Sequence, residues 1–563
     1  MSGTADLAPA SSATAPPVPA TADDVVAHTL LNCYLREVAE PERQATLLAG
    51  RLGIRLPRQD VVLSVAVRRP ARSGAHRFTG PVSLLRGTLC STLDWRSLAE
   101  RIAEELHRAT GVVNDEFVDQ VEQSHAVTRS LLRRPHPPTG STSAEARYLE
   151  SERALLLGHR FHPTPKSRSG DSDRWQVYAP ETGSTMMLRK LAVLHDLVGQ
   201  DAVTPGDLAA LDGLADVPAG HLLLPVHPWQ YELLRGNTAL DAALRSGNVL
   251  DLGPGSTPFA ATSSVRTLYG GGGFLKFSLN VRITNCVRKN SAYELAGAPV
   301  LTRLLDTELA GLRTRFPGFA VLREPAYRTV AGLGPELLEG FGVIVRESPV
   351  RHLLPGVTPL LAGAIADEYP CSGAHVSRLL GEPTTDRVLD WWRAYLRLLL
   401  PPVLAAFFQH GVVFEPHLQN VLVGVDPDGM PAQMLLRDME GTKLVGPRHA
   451  AALSELDPSV AGPLTYDRAK GWRRTAYCLL VNHLSEVLAA LADQRPDLES
   501  TLWELVTEQL GDCAEDNGRP AELTAVLAGV PVPAKTNLLT RWRRSNDRES
   551  GYVPLALPLG TGQ

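Results

Sequence analysis

The chain has 563 residues, 44% of them hydrophobic and 21% charged, which is long enough for several domains around ordinary cores. Fifty-six Lys and Arg stand against 61 Asp and Glu, a net charge of −5, and that balance argues against a dedicated nucleic-acid binder. Six scattered cysteines without a CxxC pair offer no zinc site and fit a reducing cytosol, and the longest apolar run, Leu398–Phe408, is too short and too proline-broken to span a membrane.

Residues 1–22 are mostly Ala, Pro, Ser and Thr, with no Lys or Arg before Arg36, and read as a disordered tail without the basic start of a signal peptide. From 23 to 157 the pattern reads as mostly helical. Asp24–Arg36 and Leu98–Ala109 carry apolar residues at helical spacing, and Ser143 is a candidate helix cap. From 158 to 330 the apolar runs shorten and are broken by Gly and Pro. His221–Val226 reads as a buried strand, after which Trp229 packs in the core and Gln230 starts a helix. Ser263–Tyr269, Gly270–Gly273 and Phe274–Thr284 read as strand, glycine turn and strand. From 331 to 563 the chain is largely helical, with Arg387–Leu400 capped by Thr384 or Thr385, and Gly471–Leu491. The short strands Val421–Val425 and Met434–Arg437 lie between these helices. The expected fold class is α+β.

No GxxxxGK[ST] phosphate loop, no GxGxxG between strand and helix, no GxSxG and no HExxH is present. In Phe274–Thr284, Lys276, Ser278, Asn280, Arg282 and Thr284 share one parity, and the preceding strand brings Ser264, Arg266 and Thr267. With Arg288 close behind, these cations and hydroxyls suit a polyanion such as triphosphate; the plain alternative is a solvent-washed sheet face. Glu415, His417, Gln419 and Asn420 crowd six positions after an apolar helix, and Asp438 follows a turn. Such oxygen-rich groups suit Mg²⁺ and nucleotide phosphates. The layout resembles the catalytic loop and metal Asp of kinase-like enzymes, but the Asp that would act as kinase base is missing. The loop Gly158–Gly170 carries His162, Lys166 and Arg168, a basic loop for a carboxylate-rich substrate or simply a basic surface.

Six segments in order, GHRFHPTPKSRSG (158–170), LLPVHPWQ (223–230), TSSVRTL (262–268), KFSLNVRITNCVR (276–288), FEPHLQN (414–420) and LLRDMEG (435–441), resemble the IucA/IucC family of NRPS-independent siderophore synthetases. The resemblance implies a hand-like fold: a helical thumb (23–157), a fingers region with a phosphate-binding hairpin (158–330) and a palm with a kinase-like nucleotide element (331–563). It implies ATP- and Mg²⁺-dependent adenylation of citrate or a similar polycarboxylate. An amine, amino acid or alcohol then condenses with the activated acid and AMP leaves. ATP would meet Ser264, Arg266, Thr267, Lys276, Arg288, His417, Gln419 and Asn420. Lys276, Arg288 and His417 would be catalytic. Glu415, Asn420 and Asp438 would hold the metal, and His162, Lys166, Arg168, Thr284, Asn285 and Arg288 the acid. The form HPxxKxR at 162–168 is similar to that of members using free citrate. Arg160 departs from the Pro common in the family at that place, and Lys535 and Asn537 in PAKTNLLTRW also look family-like. The family context implies a cytoplasmic enzyme, with no nucleic-acid or membrane partner, often a homodimer. The rival expectations are a kinase-like phosphotransferase and a non-catalytic carboxylate-binding protein of the same fold.

Overall fold

Thr21 opens the described part of the chain by accepting the Asp24 N–H, and so caps the helix Ala22–Tyr34. The computed structural model describes residues 21–134, 143–168, 172–283, 286–545 and 550–559. The tail expected over 1–22 lies outside the described residues except for its last two positions, as do Thr284 and Asn285 of the expected acid site.

The N-terminal region is not mostly helical. Strands β1 (Ala45–Leu48), β2 (Arg51–Leu56), β3 (Val61–Arg69), β4 (Arg77–Arg86) and β5 (Leu89–Leu93) form an antiparallel five-stranded sheet in sequence order. Its signal is a period of two: Leu52, Ile54 and Leu56, then Val61, Leu63 and Val65, are buried at alternate positions. This sheet packs on Ala22–Tyr34 and on Trp95–Thr110, whose apolar face buries Leu98, Ile102 and Leu106. Leu538 and Trp542, from the far end of the chain, complete this core.

The second layer is an eight-stranded antiparallel sheet. It uses β6 (Thr185–Leu194), β7 (Val198–Ala202), β8 (His221–Val226), β9 (Val249–Ala261), β10 (Thr267–Gly270), β11 (Gly273–Phe277), β15 (Ala326–Val330) and β16 (Val343–Arg346), in the order β7-β15-β16-β11-β10-β9-β6-β8. The sheet therefore continues past residue 330. β10 and β11 turn through Gly271 and Gly272, both at positive φ, as a two-residue hairpin requires. Phe274–Thr284 is not one strand. It breaks at Ser278, whose hydroxyl donates to the Glu339 carbonyl and whose N–H donates to Gly342, and resumes as β12 (Leu279–Ile283), paired with β13 (Cys286–Arg288). Phe274–Ser278 is buried on both faces, so Lys276 lies inside the fold and not on a washed face.

In the C-terminal half, β14 (Phe319–Val321), β17 (Thr358–Leu361), β19 (Val421–Val425) and β20 (Pro431–Leu436) form a four-stranded sheet, and β18 (Val412–Val413), β21 (Lys443–Val445) and β22 (Thr465–Tyr466) a three-stranded one. The helix Thr385–His410, capped by Thr384, fills the core between them with Trp391, Trp392 and Tyr395. It continues through Pro401 and Pro402, where a stop at Leu400 was expected. Close packing of Val403–Phe407 sustains it past the lost hydrogen bonds. Arg468–Gln494 is long and apolar enough to cross a membrane by length and composition, but its most apolar stretch is buried inside the fold. A hairpin of β23 (Val532–Lys535) and β24 (Tyr552–Leu555) closes the chain.

Candidate active site

Four segments converge on one place: the turn before β10 together with β11, the loop Phe414–Asn420 before β19, the turn Arg437–Gly441 after β20, and β16. The charges meet there in pairs. Lys276 Nζ lies 2.5 Å from an Asp438 oxygen and 3.0 Å from a Glu440 oxygen. Arg266 reaches Glu440 and the Asn290 carboxamide, each at 2.5 Å. Arg346, which sits opposite Phe274 on the neighbouring strand, holds Glu324 at 2.5 Å and Asp438 at 3.3 Å. The three cations are 1–5% exposed and Glu324 is fully buried. Burial opposes the charge on Asp438, but Lys276 and then Arg346 outweigh it and hold the carboxyl well below the usual range. Lys276 and Arg266 do the same for Glu440. Removing one partner of such a cluster strands the other, so these pairs are fixed geometry rather than surface decoration.

Two backbone positions at this site are strained. Val265, a β-branched residue between Ser264 and Arg266, has φ +67°, and Asp438 has φ +77°. The first is held by a tight turn: Val265 N–H donates to Thr262 O, Thr267 N–H to Ser264 Oγ, and Thr262 Oγ1 to Thr267 O. The turn aims the Arg266 side chain inward beside Lys276, and Thr267 pairs in register with Lys276.

Glu415 is bound by Arg474 at 2.5 Å and packs on the backbone of Gly441, where any Cβ would meet its carboxyl at 2.8 Å. Gln419 donates to the Ser263 carbonyl, tying this loop to the turn, and Asn420 donates to the Glu415 carbonyl. His417 faces Glu415, Arg474, Asp438 and Lys535; burial pushes its ring down to about 4, so it is neutral at pH 7. Among the described residues no three acidic, His or Cys side chains group as a metal centre. Of the expected trio, Glu415 and Asn420 lie on the loop before β19 and Asp438 on the turn after β20. The carboxylates that meet are Asp438 and Glu440, both on Lys276. Beside them a narrow cleft is lined by Lys276, Glu294, Leu301, Glu324, Met439 and Glu440.

The expected acid-binding residues form a second cluster. Lys166 Nζ donates to Glu181 and to the Leu155 carbonyl, and Arg168 donates to the same Glu181 oxygen, all at 2.5 Å. His162 Nδ1 accepts the Thr164 N–H. Arg168 also bridges to Ile283 of β12 through the backbone, which brings this loop to the strand pair carrying Arg288. Arg160, the departure from Pro, lies between Glu368 and Glu486 at 3.3 and 3.1 Å. Burial works against the Glu181 charge, but Arg168 and Lys166 hold the carboxyl down at about 2. Because that folded value lies below the unfolded 4.5, its stabilisation is present above pH 4.5 and is lost as pH falls toward 2. The stability gap between wild type and Glu181→Gln, read by thermal melts from pH 3 to pH 7, is therefore expected to be widest at the neutral end and to shrink with acid. A gap independent of pH would contradict the pairing.

Sequence reasoning missed Glu440, Arg346, Glu324, Asn290, Arg474 and Glu181. Glu440 was available, two residues after Asp438 in the same motif. The others reach the site through strand pairing or helix packing that no local pattern announces.

The matched family models fall on these elements. Residues 147–367 match the IucA / IucC family, and residues 389–551 match the model described as ferric iron reductase FhuF-like transporter. The rhizobactin siderophore biosynthesis protein RhbC of Rhizobium meliloti is 27% identical, over 94% of this chain and 96% of its own length. Over residues 147–367 the chain is similar to the IucA/IucC family. The L-2,3-diaminopropanoate–citrate ligase of Staphylococcus aureus is 28% identical over 83% of this chain and 85% of its own. The ATP-bound aerobactin synthetase IucA of Klebsiella pneumoniae superposes with a TM-score of 0.84 at 25% identity, covering 96% of this chain and all of that one. The chain therefore has the mixed α/β fold of that structure.

Proposed function

We propose that this chain is an ATP-dependent, AMP-forming ligase that adenylates a carboxylate of citrate or a similar polycarboxylic acid and condenses it with an amine or hydroxyl, in siderophore or related biosynthesis. The observation that carries this reading is the buried meeting of Arg266, Lys276 and Arg346 with Asp438 and Glu440, within the family's motif order. RhbC and the S. aureus citrate ligase, similar along most of their length, are named for siderophore synthesis and citrate ligation. The IucA structure is that of an ATP-bound enzyme.

A substrate carboxylate oxygen attacks the α-phosphorus of ATP, the bond to the β-phosphate bridge breaks, and pyrophosphate leaves. The amine then attacks the acyl carbon, its proton passes to a base, and AMP departs with the original carboxylate oxygen. Neither step needs a protein nucleophile; both need charge neutralisation and alignment. Arg266, Lys276 and Arg288, with Ser264, Thr267, Gln419 and Asn420, would align the phosphates. His417, neutral and buried, would donate to the α-phosphate oxygen as charge grows there. Asp438 and Glu440 offer the one or two carboxylates Mg²⁺ takes alongside phosphates, and when bound the ion would neutralise phosphate charge. That fit favours Asp438 with Glu440 over the trio with Glu415 and Asn420. His162, Lys166 and Arg168, with Thr284, Asn285 and Arg288, remain our assignment for the acid.

In this reading the N-terminal sheet and its helices form the thumb, the eight-stranded sheet the fingers, and the C-terminal half a palm with a kinase-like Lys–Asp pair, closing as a cytoplasmic enzyme that draws on cellular ATP. Nucleotide analysis after incubation with ATP, Mg²⁺, citrate and a diamine tests it. AMP and pyrophosphate in equal amounts are expected, whereas ADP would establish the kinase-like alternative.

A further inference from the structure

The helix Arg468–Gln494 changes from α to π geometry across the buried segment Tyr477–Leu484 and back again. A π segment shifts side chains out of the regular phase of the helix and is frequently found at functional sites. Two adjacent side chains use that shift here. His483 Nδ1 donates to the Pro416 carbonyl at 2.7 Å, and the Tyr395 hydroxyl donates to its other ring nitrogen. Asn482 accepts the Leu418 N–H on Oδ1 at 3.2 Å, and its Nδ2 lies 2.6 Å from His159 Nε2. The Pro416 and Leu418 contacts flank His417 on either side. His159 opens the loop that carries His162, Lys166 and Arg168. One carboxamide, 7% exposed, thus joins the loop assigned to nucleotide and the loop assigned to acid.

We infer that Asn482 is a positioning residue that fixes the separation of the His159 loop and the His417 loop, and so aligns the acid with the α-phosphate. The alignment half of this inference rests on the adenylation reading; the joining of the loops does not. The geometry gives the carboxamide a distinct function at each end. Leu418 N–H is a fixed donor, so Oδ1 belongs to it, and Nδ2 faces the imidazole. The Phe161 N–H reaches Nδ1 of the same ring at 3.0 Å. A neutral imidazole keeps one N–H, so only one of its two nitrogens accepts at a time; burial pushes His159 down to about 4 and keeps the ring neutral at pH 7. Glu486, Arg36, His417 and Lys535 also face it. A misplacement of about 1 Å between reacting groups lowers turnover by up to about 100-fold, so a link of this kind acts on kcat more than on nucleotide binding.

The test pairs hydrogen exchange without substrates with steady-state pyrophosphate release. In Asn482→Ala, peptides covering 414–420 and 158–168 are expected to exchange faster than in wild type. kcat should fall at least about 10-fold while KM for ATP stays within about 3-fold. Asn482→Asp keeps the acceptor for Leu418 but sets a carboxylate against His159. Exchange at 414–420 should then stay slow while the pH profile of kcat gains a new limb from a raised His159. Unchanged exchange in either loop of Asn482→Ala, or wild-type kcat there, overturns the inference. If Asn482→Ala does not fold, an unaltered pH profile in Asn482→Asp overturns it. Should the wild type release no pyrophosphate at all, the adenylation reading fails, and exchange alone then decides whether Asn482 joins the two loops.

Discussion

His417→Ala is expected to lower citrate-dependent pyrophosphate release by at least about 100-fold while leaving the thermal midpoint within a few degrees of wild type. The size follows from removing one donor aimed at developing phosphate charge inside a water-poor site, typically on the order of 3 kcal/mol of barrier. The intact fold follows from the surroundings. The loop on which His417 rides is held by backbone bonds to Asn482 and His483, and by Gln419 and Asn420, none of which needs the imidazole. His417→Gln, which keeps an N–H donor of similar reach, is expected to recover part of the rate. Because burial already holds the ring neutral down to about pH 4, the rate should not vary with His417 protonation between pH 6 and 9. Wild-type turnover in His417→Ala would remove it from the site.

Arg437→Ala is expected to produce the largest loss of stability. Arg437 binds both oxygens of Glu152 and also the Tyr148 hydroxyl and the Gln419 carbonyl. Glu152 is fully buried and receives the Ser263 N–H as well. The pair therefore pins together the helix Ala144–Arg153, the turn before β10 and the turn that carries Asp438. Deleting the guanidinium leaves an uncompensated carboxylate in the interior, a penalty of about 3–5 kcal/mol. The expected readout is a large drop in urea midpoint. Arg437→Met combined with Glu152→Gln is expected to recover much of that drop without restoring activity, because volume and neutrality return but the turns are no longer tied. A loss of less than about 1 kcal/mol for Arg437→Ala would mean that Glu152 finds another partner.

The parts legible in the sequence were those whose signal is local. His221–Val226 and Val421–Val425 are strands over the same residues, Thr384 and Ser143 do cap their helices, and the glycine turn forms a hairpin. The chemistry-bearing residues Arg266, Lys276 and Asp438 come together although Asp438 lies 162 positions beyond Lys276. What stayed hidden depends on distant packing. Lys276 reads as half-exposed by alternation, yet the helix Ala292–Glu308 and the turn Arg437–Gly441 pack over its face and neighbouring β16 brings Arg346, because a central strand of a covered sheet is buried on both faces. Lys166 and Arg168 read as open charges, yet Glu181, outside every motif, neutralises both. The N-terminal sheet was readable in the alternation of β2 and β3 and was overlooked beside the stronger helical pattern on either side.

The central claim is that a substrate carboxylate attacks the α-phosphorus of ATP, and oxygen tracing tests it most directly. With citrate labelled with ¹⁸O in its carboxylates, and with ATP, Mg²⁺ and an amine acceptor, mass spectrometry of the released nucleotide should find one ¹⁸O atom per AMP and none in pyrophosphate. Label appearing in inorganic phosphate beside ADP, or AMP released without label, would contradict adenylation and with it the assignment of Arg266, Lys276, Arg288 and His417 to that step.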